Sequence, residues 1–170
     1  PFKETNINEG LPASANMYYG LSKRTSINYS EVASATYGFK LTNLIMTNLF
    51  GIKDDFRDQT SHVIPALIKK ISKAKKENRP IEVWGNSSVT RDFITTDFAS
   101  EVVLKTLQKN DGLGRINVAS GKSRSIGQIV RFLRQYFAFE NDVIWLNNKP
   151  TGQPLRTLDI SKFENLIGIE

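Results

Sequence analysis

Lys40-Leu41-Thr42-Asn43-Leu44-Ile45-Met46, followed by Thr47-Asn48-Leu49-Phe50-Gly51, decides the fold class. The first seven residues are short, mostly apolar and free of Gly and Pro, and read as a strand; the next five read as the loop leaving its C-terminal end. Upstream, Tyr18 to Tyr37 contains no Pro, and Leu21, Ile27, Val32 and Ala35 support a long helix that Gly38 stops. Downstream, Thr60 or Ser61 is placed to cap a helix through Val63, Ile64, Leu67, Ile68 and Ile71, with Pro65 tolerated in its first turn. After Pro80 come a short strand, Ile81 to Trp84, ended by Gly85-Asn86-Ser87-Ser88, and a second, Arg91 to Thr95. A helix capped near Thr96 then sets Phe98, Val102, Val103 and Leu107 on one face. A strand over 115–119, a helix capped by Ser125, a strand over 143–146, a Pro/Gly loop over 149–154 and a helix starting near Ile160 complete the reading. Strands alternate with helices, the pattern of an α/β layered architecture with parallel pairing.

At 170 residues, 39% hydrophobic and 24% charged, the chain has the composition of a globular domain and excludes fibrous and disordered classes. No apolar run reaches the length of a membrane span, so a soluble, cytoplasmic protein is expected. The absence of cysteine rules out disulfides, thiolate metal sites and a cysteine nucleophile in this chain, and a lone His argues against zinc. The net charge of +6 raises the question of a polyanion partner. Its densest contributor, Lys69-Lys70, Lys73, Lys75-Lys76 and Arg79, lies at helical spacing and reads first as a solvated helix face.

Tyr19-Gly20-Leu21-Ser22-Lys23 puts a phenol and an ammonium one helical turn apart on one face. A fixed cation near a phenol favours the phenolate, so such a pair can deliver a proton to a carbonyl oxygen as hydride arrives at its carbon. The spacing alone is a weak signal, because Tyr and Lys are common. His62 alone reads equally as a surface residue at a helix start. The apolar residues Val63, Leu67 and Val83 read equally as core.

The order of segments carries more. Tyr19-x-x-x-Lys23, Met46-Thr47-Asn48-Leu49-Phe50-Gly51, Ser61-His62-Val63-Ile64-Pro65-Ala66-Leu67, Val83-Trp84-Gly85, Thr90-Arg91-Asp92-Phe93-Ile94, Ile116-Asn117-Val118-Ala119-Ser120-Gly121 and Lys149-Pro150-x-Gly152-x-Pro154 together resemble the extended short-chain dehydrogenase/reductases, and among them the GDP-fucose synthase group. The resemblance covers nearly the whole chain. It implies the late part of a Rossmann-type parallel sheet (1–58) and a small α/β substrate-binding domain (mainly 59–170, with segments returning to the sheet), the N-terminal dinucleotide-binding half being absent. It implies epimerisation and NADP-dependent reduction of a GDP-linked 4-keto-6-deoxy sugar by a homodimer built on long helices such as Tyr18 to Tyr37. Carried over by position, Tyr19 is the proton donor, Lys23 its partner and cofactor ligand, and Asn48 and Leu49 border nicotinamide and sugar. His62 is the acid/base of epimerisation. Lys70, Arg91 and Arg156 hold the diphosphate, and Val63, Leu67, Val83 and Trp84 form the base slot. The cysteine and serine that the family pairs with these would precede Pro1. Met46, Thr151 and Leu155 depart from the family's usual Pro, Asp and basic residue.

A Gly-rich dinucleotide fingerprint is missing from these residues: Gly112-Leu113-Gly114 lacks a third glycine and reads as a turn. The 170-residue chain is therefore expected to lack reductase turnover by itself. Three alternatives stay open. They are a nucleotide-sugar 4-epimerase or 4,6-dehydratase with bound NAD, a non-enzymatic GDP-sugar binder, and a basic nucleic-acid-binding module using the 69–79 run.

Overall fold

The computed structural model describes residues 1–58, 60–148 and 155–168. The expected loop over 149–154 and the last two residues lie outside the described residues. Two short 3-10 turns lead to α1 (Met17–Tyr37), β1 (Thr42–Met46), β2 (Asn48–Phe50), α2 (Val63–Glu77), β3 (Ile81–Trp84), β4 (Thr90–Arg91) and β5 (Phe93–Thr95). The chain continues through α3 (Thr96–Lys109), β6 (Gly114–Val118), β7 (Arg124–Ser125), α4 (Ile126–Tyr136), β8 (Val143–Leu146), β9 (Leu155–Arg156) and α5 (Ser161–Leu166). This is an α/β protein with parallel strand pairs. It forms two compact units: Pro1–Leu49 with Ile94–Gly121 and Thr157–Glu170, and Phe50–Phe93 with Lys122–Arg156.

In the first unit β1 and β6 run parallel, with Thr42 opposite Gly114 and Met46 opposite Val118. Its core packs Ile94, Ala99 and Val102 against Ile116 and Val118 of β6 and Phe163 and Ile167 near the chain's end. The α3 face differs from the expected one. Ala99, Val102 and Thr106 are buried at i, i+3, i+7, while Val103 and Leu107 are turned to solvent. The helix also starts one residue earlier than expected, with Thr95 Oγ1 accepting from Phe98 N. Asn117, 2% exposed, is satisfied on several sides: its amide donates to the carbonyls of Phe2 and Asp159, and its backbone N–H to the Glu4 carboxylate.

α1 departs most from the periodicity reading. None of its residues is buried, and Leu21 and Val32 are exposed. It is held by polar contacts instead. Arg115 of β6 donates to both Glu31 carboxylate oxygens, each at 2.6 Å, and to Asn28, while Ser30 and Asn43 hydrogen bond to each other. Gly38 ends the helix as expected, at φ 72, in the left-handed region where Gly carries no Cβ penalty.

In the second unit β3 and β8 run parallel, Ile81 opposite Val143 and Trp84 opposite Leu146. α2 lays Leu67, Ile71 and Ala74 on Ile81 and Val83, and α4 adds Ile126, Val130 and Leu133. Burying each of these Leu, Ile and Val side chains contributes about 1.5–3 kcal/mol. Ser125 caps α4 in a full capping box with Gln128. α2 is not capped by Thr60 or Ser61: His62 holds the cap position, with no side-chain cap bond. Two further expectations change. Residues 48–50 form a strand, β2, paired with β5, and the expected strand 91–95 is split by the buried Asp92 into β4 and β5.

Candidate active site

Tyr19, Lys23, Asn48 and Leu49 belong to the first unit. Tyr19 lies in the first turn of α1 and is 65% exposed, and Lys23, one turn on, holds its ammonium 5.5 Å from the centroid of the Tyr19 ring. The intervening Gly20 is a steric requirement. A Cβ there would stand 2.6 Å from Cβ of Pro12, so only Gly lets the 10–13 loop lie on the helix beside Tyr19. Arg24 fastens the same loop, donating to the Gly10 carbonyl at 2.8 Å. Phenol and ammonium therefore stand together at the surface on a helix whose start is locked. Asn48 and Leu49 open β2, directly after Thr47 N–H is tied to the Val118 carbonyl.

The remaining expected residues belong to the second unit. His62 is exposed, and its imidazole has no hydrogen bond among the described residues. The chain before it is locked: the Asp55 carboxylate accepts from the Arg57 guanidinium, the Thr60 hydroxyl and the Arg57 N–H. These bonds, led by that from Arg57, hold the Asp55 carboxyl well below the usual carboxylate range. Ser61 N–H donates to the Arg57 carbonyl at 3.0 Å, fixing the step into His62.

β3 alternates strictly, Ile81 and Val83 in, Glu82 and Trp84 out. Leu67 and Val83 are core residues, 3% and 4% exposed, and Val63 packs against that core. Trp84 is 62% exposed. Lys70 donates to the Glu82 carbonyl at 2.9 Å, and its ammonium lies 5.6 Å from the Trp84 ring centroid. An indole face and a cation thus stand side by side at the end of β3. Several neighbours in the basic run are engaged locally: Lys69 with Asp58 and the Phe56 carbonyl, Lys75 with the Phe137 carbonyl, Arg79 with Glu77.

Arg91 and Arg156, 65 residues apart in sequence, are direct partners in the parallel β4–β9 pair. Burial, and after it the charge of Arg156, lowers Arg91 from the usual guanidinium value. Two guanidiniums opposed on neighbouring strands suit an anion with more than one charge. Sequence reading did not single out a third arginine beside them. On the other side of β4, Arg124 of β7 is the antiparallel partner of Arg91. Nothing in the local sequence marks Arg124, which precedes a helix cap; only the pairing does.

Comparison with known proteins places the chain in a family. The model of the NAD dependent epimerase/dehydratase family matches residues 1–119. The probable GDP-L-fucose synthase 1 of Oryza sativa subsp. japonica is 29% identical over 167 residues, which cover 98% of this chain and 51% of the rice protein. GDP-L-fucose synthase of Escherichia coli (strain K12) is 29% identical over 178 residues, covering 98% and 55%. A crystal structure of a GDP-L-fucose synthetase from Naegleria fowleri bound to NADP matches with TM-score 0.85 at 27% identity, covering 98% of this chain and 54% of that one. The chain spans about half the length of the curated relatives it matches. On the family match, which takes in more than half of its residues, the chain belongs to the NAD dependent epimerase/dehydratase family.

Proposed function

We propose that this chain carries the proton-donor pair and the nucleotide-sugar-holding residues of an NADP-dependent epimerase/reductase acting on a GDP-linked 4-keto-6-deoxy sugar. The observation that carries the reading is the exposed Tyr19 phenol with the Lys23 ammonium beside its ring. The names of the rice and E. coli relatives support the substrate class, and the NADP-bound Naegleria structure supports the cofactor.

The donor set fits one end of the cofactor. A phenol and an ammonium one turn apart suit the nicotinamide ribose hydroxyls and a carbonyl to be protonated. Nothing in the chain's sequence supplies a Gly-rich turn for the pyrophosphate, and Gly112 to Gly114 leads into β6 instead of leaving a strand. NADPH, when bound, supplies the hydride that reduces the keto carbon. Tyr19 gives its proton to the carbonyl oxygen, and Lys23 orients the ribose and balances the phenolate left behind. His62, its imidazole not consumed by capping, exchanges the acidic hydrogens on carbons next to the ketone. Lys70, Arg91 and Arg156 hold the diphosphate, Trp84 the base, and the Asn48–Leu49 backbone borders the sugar. The exposed Tyr29, Val32 and Tyr37 of α1 suit a helix-to-helix homodimer. The 170-residue chain by itself has no reductase turnover.

His62→Asn in the whole protein tests the reading. Exchange of solvent deuterium into the sugar carbons flanking the ketone is lost while hydride transfer from NADPH persists. A 4-epimerase or 4,6-dehydratase with bound NAD would show neither effect, and that outcome would sink the proposal.

A further inference from the structure

The three-stranded sheet ordered β7-β4-β9 aligns three arginines. Arg91 of β4 is opposite Arg124 of β7 on one side and Arg156 of β9 on the other. Directly opposed residues on neighbouring strands project to the same face, so all three side chains leave one side of the sheet. With strands about 4.8 Å apart, the Arg124 and Arg156 Cα atoms stand about 10 Å apart with Arg91 midway.

We propose that Arg124 is the third arginine of the diphosphate cradle, a binding residue that takes one phosphoryl group while Arg156 takes the other and Arg91 bridges both. The proposal rests on the reading of Arg91 and Arg156 as diphosphate ligands. Like charges opposed across a sheet repel, and neither Arg124 nor Arg156 pairs with a carboxylate among the described residues. The two ends of the row, Arg124 and Arg156, therefore suit an external anion that spans them. A diphosphate diester offers two phosphoryl groups, each with one negative charge and oxygens placed for a guanidinium fork.

The backbone that presents Arg124 is rigid. The next residue, Ser125, is locked by its capping box, and Ile126 and Gly127 donate N–H bonds to the Val89 and Ser87 carbonyls of the loop feeding β4. Gly127 permits that contact, since a Cβ there would lie 3.1 Å from Ser87. β7 is thus fastened to the segment that sets Arg91, and the backbone positions of the two arginines are fixed relative to each other. Arg91 is half-buried and Arg124 exposed, so Arg124 is the weaker arm.

Calorimetric titration of the protein with GDP, with the melting midpoint recorded for each variant, tests this. Arg124→Gln weakens GDP binding about three- to tenfold with an unchanged midpoint, the size of an exposed charge-assisted contact. Arg124→Lys, which keeps the charge and loses the fork, recovers part of the loss. Arg91→Gln weakens binding more. Unchanged GDP affinity in Arg124→Gln alongside a loss in Arg91→Gln would overturn the role of Arg124 and leave the diphosphate reading standing. A loss in Arg124→Gln accompanied by a lowered midpoint would reduce Arg124 to a structural residue. If Arg91→Gln also left GDP affinity unchanged, both this proposal and the functional reading beneath it would fall.

Discussion

The Lys23 ammonium stands 5.5 Å from the centroid of the Tyr19 ring, on a helix turn that Pro12 and Gly20 lock from the other side. In Tyr19→Phe the ring and its cation remain and only the hydroxyl is lost. In the whole protein this lowers kcat for ketone reduction by about 10²–10⁴-fold, the usual worth of a positioned acid, and leaves GDP affinity as it was. Lys23→Met lowers kcat and also raises KM for NADPH, because the ammonium serves proton donor and ribose together. Steady-state kinetics with NADPH varied at fixed substrate separates the two.

Gly20→Ala sets a methyl 2.6 Å from Pro12, whose ring cannot swing aside. The expected cost is about 1–3 kcal/mol, as for other overpacked contacts. It is local: amide exchange accelerates over residues 9–13, where Arg24 holds the loop, while β1 and β6 stay protected. Denaturant unfolding with exchange by mass spectrometry reads both effects.

Trp84 and its neighbour Val83 separate binding from stability. Trp84→Ala removes an exposed indole and weakens GDP binding about tenfold, the scale of one base-stacking contact, with little change in melting. Leu67→Ala empties part of the core against Val83 and costs about 2–5 kcal/mol of stability. Equal melting losses in both variants would contradict the placement of Trp84 outside that core.

Glu31 and Arg115 form a two-pronged pair that docks α1 on β6. The Arg115 hydrogen bonds, opposed in part by burial, hold the Glu31 carboxyl below its ordinary 4.5. A carboxylate depressed in the folded state stabilises above its unfolded value and loses that contribution as pH falls through the folded one. A double-mutant cycle with Glu31→Gln and Arg115→Gln should give a coupling of about 1 kcal/mol at pH 7. The coupling is expected to vanish in acid below 4.5, as Glu31 takes up its proton.

Local chemistry was legible from residue order. The Val63, Leu67, Ile71 positions of α2, the Ser125 cap and the Gly38 stop depend on neighbours within a few residues, and each stands as read. The α1 face was not legible. Leu21 and Val32 have helical spacing, but what faces β6 is Glu31, whose partner lies 84 residues away.

Periodicity and motif order determined by themselves that this is an α/β chain, that Tyr19 and Lys23 share a helix turn, and that Trp84 ends a short strand. Those properties are written in backbone periods of 3.6 and 2, which need no distant partner. Only tertiary structure decided that Leu67 and Val83 are core, that Asp92 divides a strand, and that Arg124, Arg91 and Arg156 stand in one row. Each of these depends on closing long stretches of chain, and the cost of closure grows so slowly with length that sequence separation carries almost no information about which strands meet.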